Sequence, residues 1–349
     1  MVDVLINDLK CRAKEVYEGI NILLNSENYE VVKRKLVFEI KDDQEINGRS
    51  WCTNEEDHIE INIGVIKIYT EYFLKVTNYL NECFYKLLTG IDDEKQLKDF
   101  MYEGLIFNDK GVKIITSKNF AEDRTKLMEI FVSRFILLHE YGHIFDGHCN
   151  YLSDFYGGND FIKMRYEDEE GVFDDEQKRK LDTRTLEMDA DMFATSQSIY
   201  HLVFLYLNFD EQVQCIGMKP IELFYWWAFA IRSQFLVCED RFADTYKYSE
   251  RMSHLPSNAR WDMIANTVET IIHKCFNSEV MDINTIEKLF FDGVLDAEKI
   301  FNEIKCSKYN WINELSGNVK YSYYKKEVNE HWKVLKEQLI KYSRFPLAD

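Results

Sequence analysis

The 349-residue chain is long enough for a large core, and its hydrophobic content of 46% and aromatic content of 15% are typical of a globular protein rather than a disordered one. Its 43 basic and 61 acidic residues give a net charge of −18, which argues against a nucleic-acid backbone or an anionic membrane as the main partner. Only three prolines occur and no Gly/Ser-rich linker stands out, so the composition favours a mostly helical, continuous body.

Cysteine usage and the N-terminal residues bear on the compartment. The eight cysteines are scattered without a C-x-x-C pair, and the first residues are too acidic and polar for a signal peptide, so we expect reduced thiols and a cytoplasmic location.

The apolar run 221–237 approaches the length of a membrane span. Because Glu222, Arg232 and Gln234 interrupt it, we interpret it as a buried core helix and expect no membrane partner.

The first 116 residues alternate between helical and strand-like patterns. Apolar residues recur at helical spacing near the start, and two later segments alternate with a period of two. The predicted elements are a helix over 3–25, strands over 35–40 and 58–63 with a turn signal at Asn47-Gly48, a helix over 65–88 and a strand over 111–116.

The sequence His139-Glu140-Tyr141-Gly142-His143 has the form H-E-x-x-H and follows a nearly continuous apolar run. Residues four apart lie on one face of a helix, so His139 and His143 can offer two imidazole nitrogens to a single Zn²⁺. Glu140 lies beside them, where its carboxylate can act as a general base. The apolar run predicts that this helix is buried, and Gly147 predicts its end.

A zinc site of this kind needs a third ligand, and the candidate is Glu187 on a second predicted helix over 186–194. Ala190 and Ala194 form a stripe of small residues that would let the two helices lie close together. Asp191, one turn after Glu187, is expected to accept the second ring N–H of a ligand histidine. An ordinary solvated acidic face is the alternative interpretation of Glu187 and Asp191.

Other segments have less specific signals. His148 lies five residues after His143 and off the shared face, so we leave it out of the ligand set. The acidic segment 166–176 predicts a solvated loop, with a flap that selects basic substrates as the alternative. Residues 198–206 are apolar enough for another core helix. We assign 1–275 to one domain and 276–349 to a helical extension packed on the same core or separate from it.

These motifs resemble those of a known group of enzymes. H-E-x-x-H followed by E-x-x-A-D on a second helix is similar to the gluzincin metallopeptidases. The string His139–His148 resembles the active-site helix of ImmA/IrrE-type, M48-type and phage-exclusion Lit-type peptidases. The string His254-Leu-Pro256-Ser-Asn-Ala-Arg260 is similar to an H-P-x(n)-R element of several of these families, although Leu255 intervenes.

The resemblance implies an α+β, predominantly helical fold with a zincin-like core, a small sheet beside the H-E-x-x-H helix, and a helical C-terminal region. It implies a zinc endopeptidase, with about one Zn²⁺ per chain, that cleaves a specific intracellular protein, in phage defence or in regulation. Through the third motif it implies that His254 and Arg260 stabilise the oxyanion. The alternative is a non-enzymatic binding or sensor module on a degenerate peptidase fold; an intact Glu140 favours the enzyme.

Overall fold

The structure of the chain, a computed structural model, describes residues 2–26, 34–88, 105–108, 111–114, 118–156, 174–208, 220–242, 255–275, 283–306 and 319–347. Its elements are α1 (Val2–Ser26), β1 (Lys35–Lys41), β2 (Gly48–Cys52), β3 (Glu56–Asn62), α2 (Ile63–Leu88), β4 (Leu105–Asn108), β5 (Gly111–Ile114), α3 (Lys118–Phe145), α4 (His148–Tyr156), α5 (Asp174–Asn208), α6 (Glu222–Phe242), α7 (Ser257–Cys275), α8 (Ile283–Lys305) and α9 (Val319–Leu339). The predicted α+β, predominantly helical fold is confirmed.

The first sheet has the strand order β1-β3-β2, with β1 parallel and β2 antiparallel to β3. The two alternating segments of the sequence form β1 and β3. The turn signal predicted at Asn47-Gly48 overlaps a strand that was not predicted, because Gly48 is the first residue of β2. β2 is an edge strand of this sheet and packs against α3, so the small sheet lies beside the H-E-x-x-H helix as expected.

Helix α3 is the central element of the main core. It packs against α2, α5, α6 and β2, and residues such as Phe135, Leu138 and Tyr141 are buried. The sequence predicts this from the apolar run that precedes the histidines, because a helix that is apolar on most sides must be covered on most sides.

The ligand helix differs from its predicted bounds. Residues 186–194 and 198–206 belong to one continuous helix, α5, because the polar residues between them include no glycine or proline that would end it. The same helix begins at Asp174, so the last residues of the segment predicted as an acidic loop are helical. Residues 166–173 lie outside the described residues.

One glycine allows α3 to cross α5 closely, and another ends α3. A Cβ on Gly142 would lie 2.9 Å from the Cα of Ala190, so this glycine lets α3 and α5 cross in close contact. Gly142 therefore has a packing role at the crossing of the two helices. Gly147 has φ +83°, the left-handed conformation that often follows a helix, and so ends α3 where the sequence predicts.

The region after residue 276 packs on the rest of the chain. Helix α8 lies on α6 in the main core, and α9 packs against α4, α5 and α7 with a second apolar cluster. The backbone N–H groups of Arg344 and Phe345 donate to the carbonyl of Phe145, the last residue of α3. The guanidinium of Arg344 also forms an ion pair with the buried Asp57 of β3, at 2.7 Å for Nη2 to Oδ1.

The apolar helix predicted over 221–237 is part of α6, and nearly all of its side chains are buried in the main core. Arg232, inside this helix, is fully buried and donates to Glu298 of α8 at 2.6 Å. In the described part of the chain, none of the helices has the length and apolar character needed to cross a membrane. The interpretation of this segment as a core helix is confirmed.

We predict that Gly142→Ala destabilises the protein although alanine favours helices. The added methyl group would overlap the Ala190 backbone, and overpacking of this kind costs about 1–3 kcal/mol. Gly19→Ala is the matched control: Gly19 is an exposed glycine of α1 with no atom within 4 Å of its would-be Cβ, so alanine there should stabilise by up to about 1 kcal/mol. Urea unfolding of the zinc-free proteins measures both, and equal stability of the two variants would contradict the packing argument.

Candidate metal centre

Helix α3 brings its two histidines together because they are one turn apart. The Nε2 atoms of His139 and His143 are 3.2 Å apart, and the two rings are nearly perpendicular, at 85°. The centroids of the rings are 4.8 Å apart. Both imidazoles therefore direct the same nitrogen at one point, as ligands of a single ion do.

Glu187 of α5 meets this point from the opposite helix. Its Oε2 lies 3.4 Å from Nε2 of His139, and its Oε1 lies 3.2 Å from Nε2 of His143. Four ligands at about 2.0–2.1 Å around a tetrahedral zinc ion would be about 3.3–3.4 Å apart. The three groups are arranged as this geometry requires, and they form one of the groups in the described residues that could hold a metal ion.

His139 has a carboxylate behind it. Its Nδ1 lies 2.9 Å from Oδ1 of Asp191, where a ring N–H donates to the carboxylate. Arg260 of α7 donates to the same carboxylate twice, from Nε at 2.6 Å and from Nη2 at 2.7 Å. Asp191 is thus placed where the sequence analysis expects a group that orients a ligand, and Arg260 orients Asp191 in turn.

The charged groups around His139 and Asp191 favour a positive charge between them. Burial disfavours the charged imidazole of His139, but the carboxylates of Asp191 and Glu187 outweigh burial and raise the pKa of His139 to about 10. Burial likewise disfavours the charge on Asp191, yet Arg260 and His139 hold its pKa below the usual range. The surroundings of His139 therefore stabilise positive charge at this point, which is the property that a cation site needs.

His143 has a different kind of partner, which sequence reasoning missed. Its Nδ1 lies 3.0 Å from Nδ1 of His148, and Nε2 of His148 lies 3.0 Å from Oδ2 of Asp189. His148 is the first residue of α4, and the turn at Gly147 brings it back against His143. The structure keeps His148 away from the point where the three ligand atoms converge, but places it directly behind one of them.

A second buried group lies behind this contact. Ligand atoms of Asp146, His148 and Asp189 are within 4.8 Å of one another, a spacing at which they could hold an ion. Burial and the neighbouring Asp189 carboxylate raise the pKa of Asp146 well above its usual range, which favours the protonated acid. Burial lowers the pKa of His148 although Asp189 opposes this, which favours the neutral ring.

Glu140 lies beside the cluster of His139, His143 and Glu187, but its carboxyl group is not one of the converging ligand atoms. Its carboxyl group is buried, and its Oε1 is 2.7 Å from where a Cβ of Gly48 would be. A side chain at the start of β2 would therefore collide with it. Burial raises the pKa of Glu140, while the charges of His139 and His143 lower it. The edge strand and the H-E-x-x-H helix together form the pocket of this carboxyl group.

Access to the site is on the side of His139. His139 is 9% exposed, whereas His143 and Glu187 are each 1% exposed. Arg260, with a side chain 22% exposed, lies on the same side, and its Nη2 is 4.0 Å from Oε2 of Glu187. His254, the other residue that the third motif implies, lies outside the described residues, so its role stays a prediction.

The fold and the site define a buried His–His–Glu cluster that could hold a metal ion, with a carboxylic acid beside it, in a predominantly helical α+β protein. Comparisons of the chain with protein-family models, with curated proteins and with solved structures found no match.

We predict that the purified protein binds about one zinc ion per chain, because two imidazoles and a carboxylate supply three of the four positions of a zinc site. His139→Ala and Glu187→Ala should each remove the ion, which elemental analysis of the purified chain measures. His273→Ala is the matched control, because His273 belongs to an exposed group with Glu269 and Glu287 of similar spacing. Full zinc occupancy in both ligand variants would contradict the assignment.

Proposed function

We propose that this protein is a zinc-dependent endopeptidase whose general base is Glu140. The observation that carries the proposal is the convergence of His139, His143 and Glu187 at the edge distances of a zinc tetrahedron, with a separate buried carboxyl group next to it. A centre that only held a metal for structural reasons would fill its fourth position with a protein ligand and would need no carboxylic acid there.

The donor set supports zinc in particular. The two imidazole nitrogens are borderline ligands, which suit zinc better than magnesium or calcium, whose sites consist of oxygen atoms. The Nδ1 atoms of both histidines already have partners in Asp191 and His148. Their Nε2 atoms face each other at 3.2 Å, so both can point toward one shared ion.

A zinc ion in this centre would act as a Lewis acid on the scissile carbonyl and on the attacking water. Glu140 takes the proton of that water and passes it to the leaving amine. Burial brings the pKa of Glu140 upward from its usual range, toward the neutral pH at which a base works best. Asp191 and Arg260 hold His139 in place, and the charge of Arg260 at the exposed side supports its expected action on the oxyanion.

The edge strand β2 supports an extended polypeptide as the substrate. Because β2 is the edge of its sheet and carries Gly48 against Glu140, a peptide that pairs with this edge would run past the base. The net charge of −18 favours protein substrates over nucleic acid. Among the described residues five cysteines form no disulfide, which supports the proposal that the protein works in the reducing cytoplasm.

The non-enzymatic alternative, a binding or sensor module, shares the metal centre but has no use for the base. Glu140 lies outside the set of ligand atoms, and its burial disfavours the charged carboxylate. A buried carboxyl group therefore costs stability, and a role in the reaction would explain its presence. Variants of Glu140 and of the residue that makes room for it therefore separate the two proposals.

Glu140→Gln should retain zinc and the fold but lose cleavage by at least about 10²-fold, because the amide cannot accept the water proton. The measurement is a proteome-wide comparison of new protein N-termini in cells that express the wild type or this variant, with zinc content measured on both purified proteins. Sites cut only by the wild type are expected. An identical set of N-termini in the two cell populations would overturn the peptidase proposal in favour of the binding module.

Gly48→Ala should reduce turnover of a substrate found in this way while leaving zinc content and stability unchanged. The added methyl group would meet Oε1 of Glu140 at 2.7 Å and displace the end of that flexible side chain rather than any backbone. Gly19→Ala is again the control for alanine at an unhindered glycine. Wild-type turnover in Gly48→Ala would show that Glu140 does not act from the position that it has beside β2.

A further inference from the structure

Two imidazole rings meet nitrogen to nitrogen behind the metal centre. Nδ1 of His143 and Nδ1 of His148 are 3.0 Å apart, and Nε2 of His148 is 3.0 Å from Oδ2 of Asp189. His148 is 0% exposed and Asp189 is 3% exposed, so the protein rather than the solvent supplies their partners. A hydrogen bond between the two rings needs one proton, and the location of this proton determines the state of both rings.

The role of His143 as a ligand fixes that location. To offer the lone pair of Nε2 to a metal ion, the neutral ring of His143 must carry its proton on Nδ1. This N–H then donates to Nδ1 of His148, which must be unprotonated. The remaining proton of His148 is on Nε2, where it donates to Asp189 at 3.0 Å. Every atom along the path from Asp189 to the metal position has one consistent role.

The second buried group cannot share this arrangement. An ion held by Asp146, His148 and Asp189 would need the lone pair of Nε2 of His148. The proton of His148 would then be on Nδ1 and would point at Nδ1 of His143, so His143 would have to carry its own proton on Nε2. In that state His143 could not bind an ion at the first centre.

We propose that His148 and Asp189 are positioning residues that fix the tautomer of His143, and that they thereby restrict the chain to one metal ion although two buried ligand groups lie side by side. This inference rests on the metal centre of the proposed function but not on peptidase activity. His139 receives the equivalent support from Asp191 directly, whereas His143 receives it through a second imidazole.

The first test measures zinc affinity of the full chain by competition with a chelator. His148→Leu removes the acceptor for the N–H of His143 but keeps an apolar side chain of similar length, and it should weaken zinc binding about 10–100-fold. His148→Asn offers an amide oxygen near the position of Nδ1 and should recover part of that loss. Asp189→Asn, which keeps an acceptor without the charge, should fall between the wild type and His148→Leu, and Asp191→Asn gives the size of the effect at His139.

The order of these variants distinguishes positioning from packing. If His148 only filled space, leucine would be tolerated better than the smaller and polar asparagine. Zinc binding by His148→Leu that is as tight as that of the wild type, or tighter than that of His148→Asn, would overturn the inference. Thermal unfolding of the zinc-free variants shows whether each one is folded before its affinity is compared.

The second test needs no variant. Wild-type chain in excess zinc should bind one ion in its interior, and ¹⁵N-histidine NMR of the zinc-loaded protein should find the proton of His143 on Nδ1 and that of His148 on Nε2. Two buried zinc ions per chain, or the opposite tautomers, would overturn the inference. Neither test measures proteolysis, so failure of the peptidase proposal would leave both readouts unchanged.

Discussion

The candidate metal centre depends on the distance between two helices at one crossing point. Helix α3 supplies two nitrogens and α5 supplies the carboxylate, and the helices meet where Gly142 faces Ala190 with no room for a side chain. Zinc–ligand distances tolerate changes of only about 0.2 Å. A glycine inside a helix is less stable than alanine by about 1 kcal/mol. Here the absence of a side chain on Gly142 allows the backbone contact that brings Glu187 within reach of both histidines.

A second constraint is charge, because the crossing buries several carboxyl groups in one place. Glu187, Asp189 and Asp191 lie within five consecutive residues of α5 and are all nearly inaccessible to solvent. Each has a cation or a hydrogen-bond donor: a bidentate guanidinium for Asp191, an imidazole N–H for Asp189, and the two ligand histidines for Glu187. The carboxylates of this cluster favour a nearby positive charge, which is why Asp191 and Glu187 raise the pKa of His139 despite its burial.

The sequence predicts the parts of the site that depend on local periodicity. His139, Glu140 and His143 follow from the geometry of a single helix, and Glu187 and Asp191 follow from the same rule applied to the next one. His148 and Asp189 do not, because their contact depends on the reversal at Gly147 and on the rotation of α5 about its axis. The sequence also does not predict strand β2, because this strand has only five residues and begins at a turn signal. The sequence pattern of α5 likewise has no signal that separates two helices, and the chain forms one.

The contact of the C-terminal segment with α3 has a consequence for the order in which the protein can be made. The carbonyl of Phe145, only two residues after His143, receives its hydrogen bonds from Arg344 and Phe345, and Arg344 also neutralises the buried Asp57 of the sheet. These contacts join parts of the chain about 200–300 residues apart, and such long-range contacts form late in folding. On the ribosome, the helix that carries the histidines is therefore capped only after Arg344 and Phe345 have emerged, long after the helix itself. A polypeptide that stops before these two residues lacks the cap, so the end of the helix beside His143 would be fixed late.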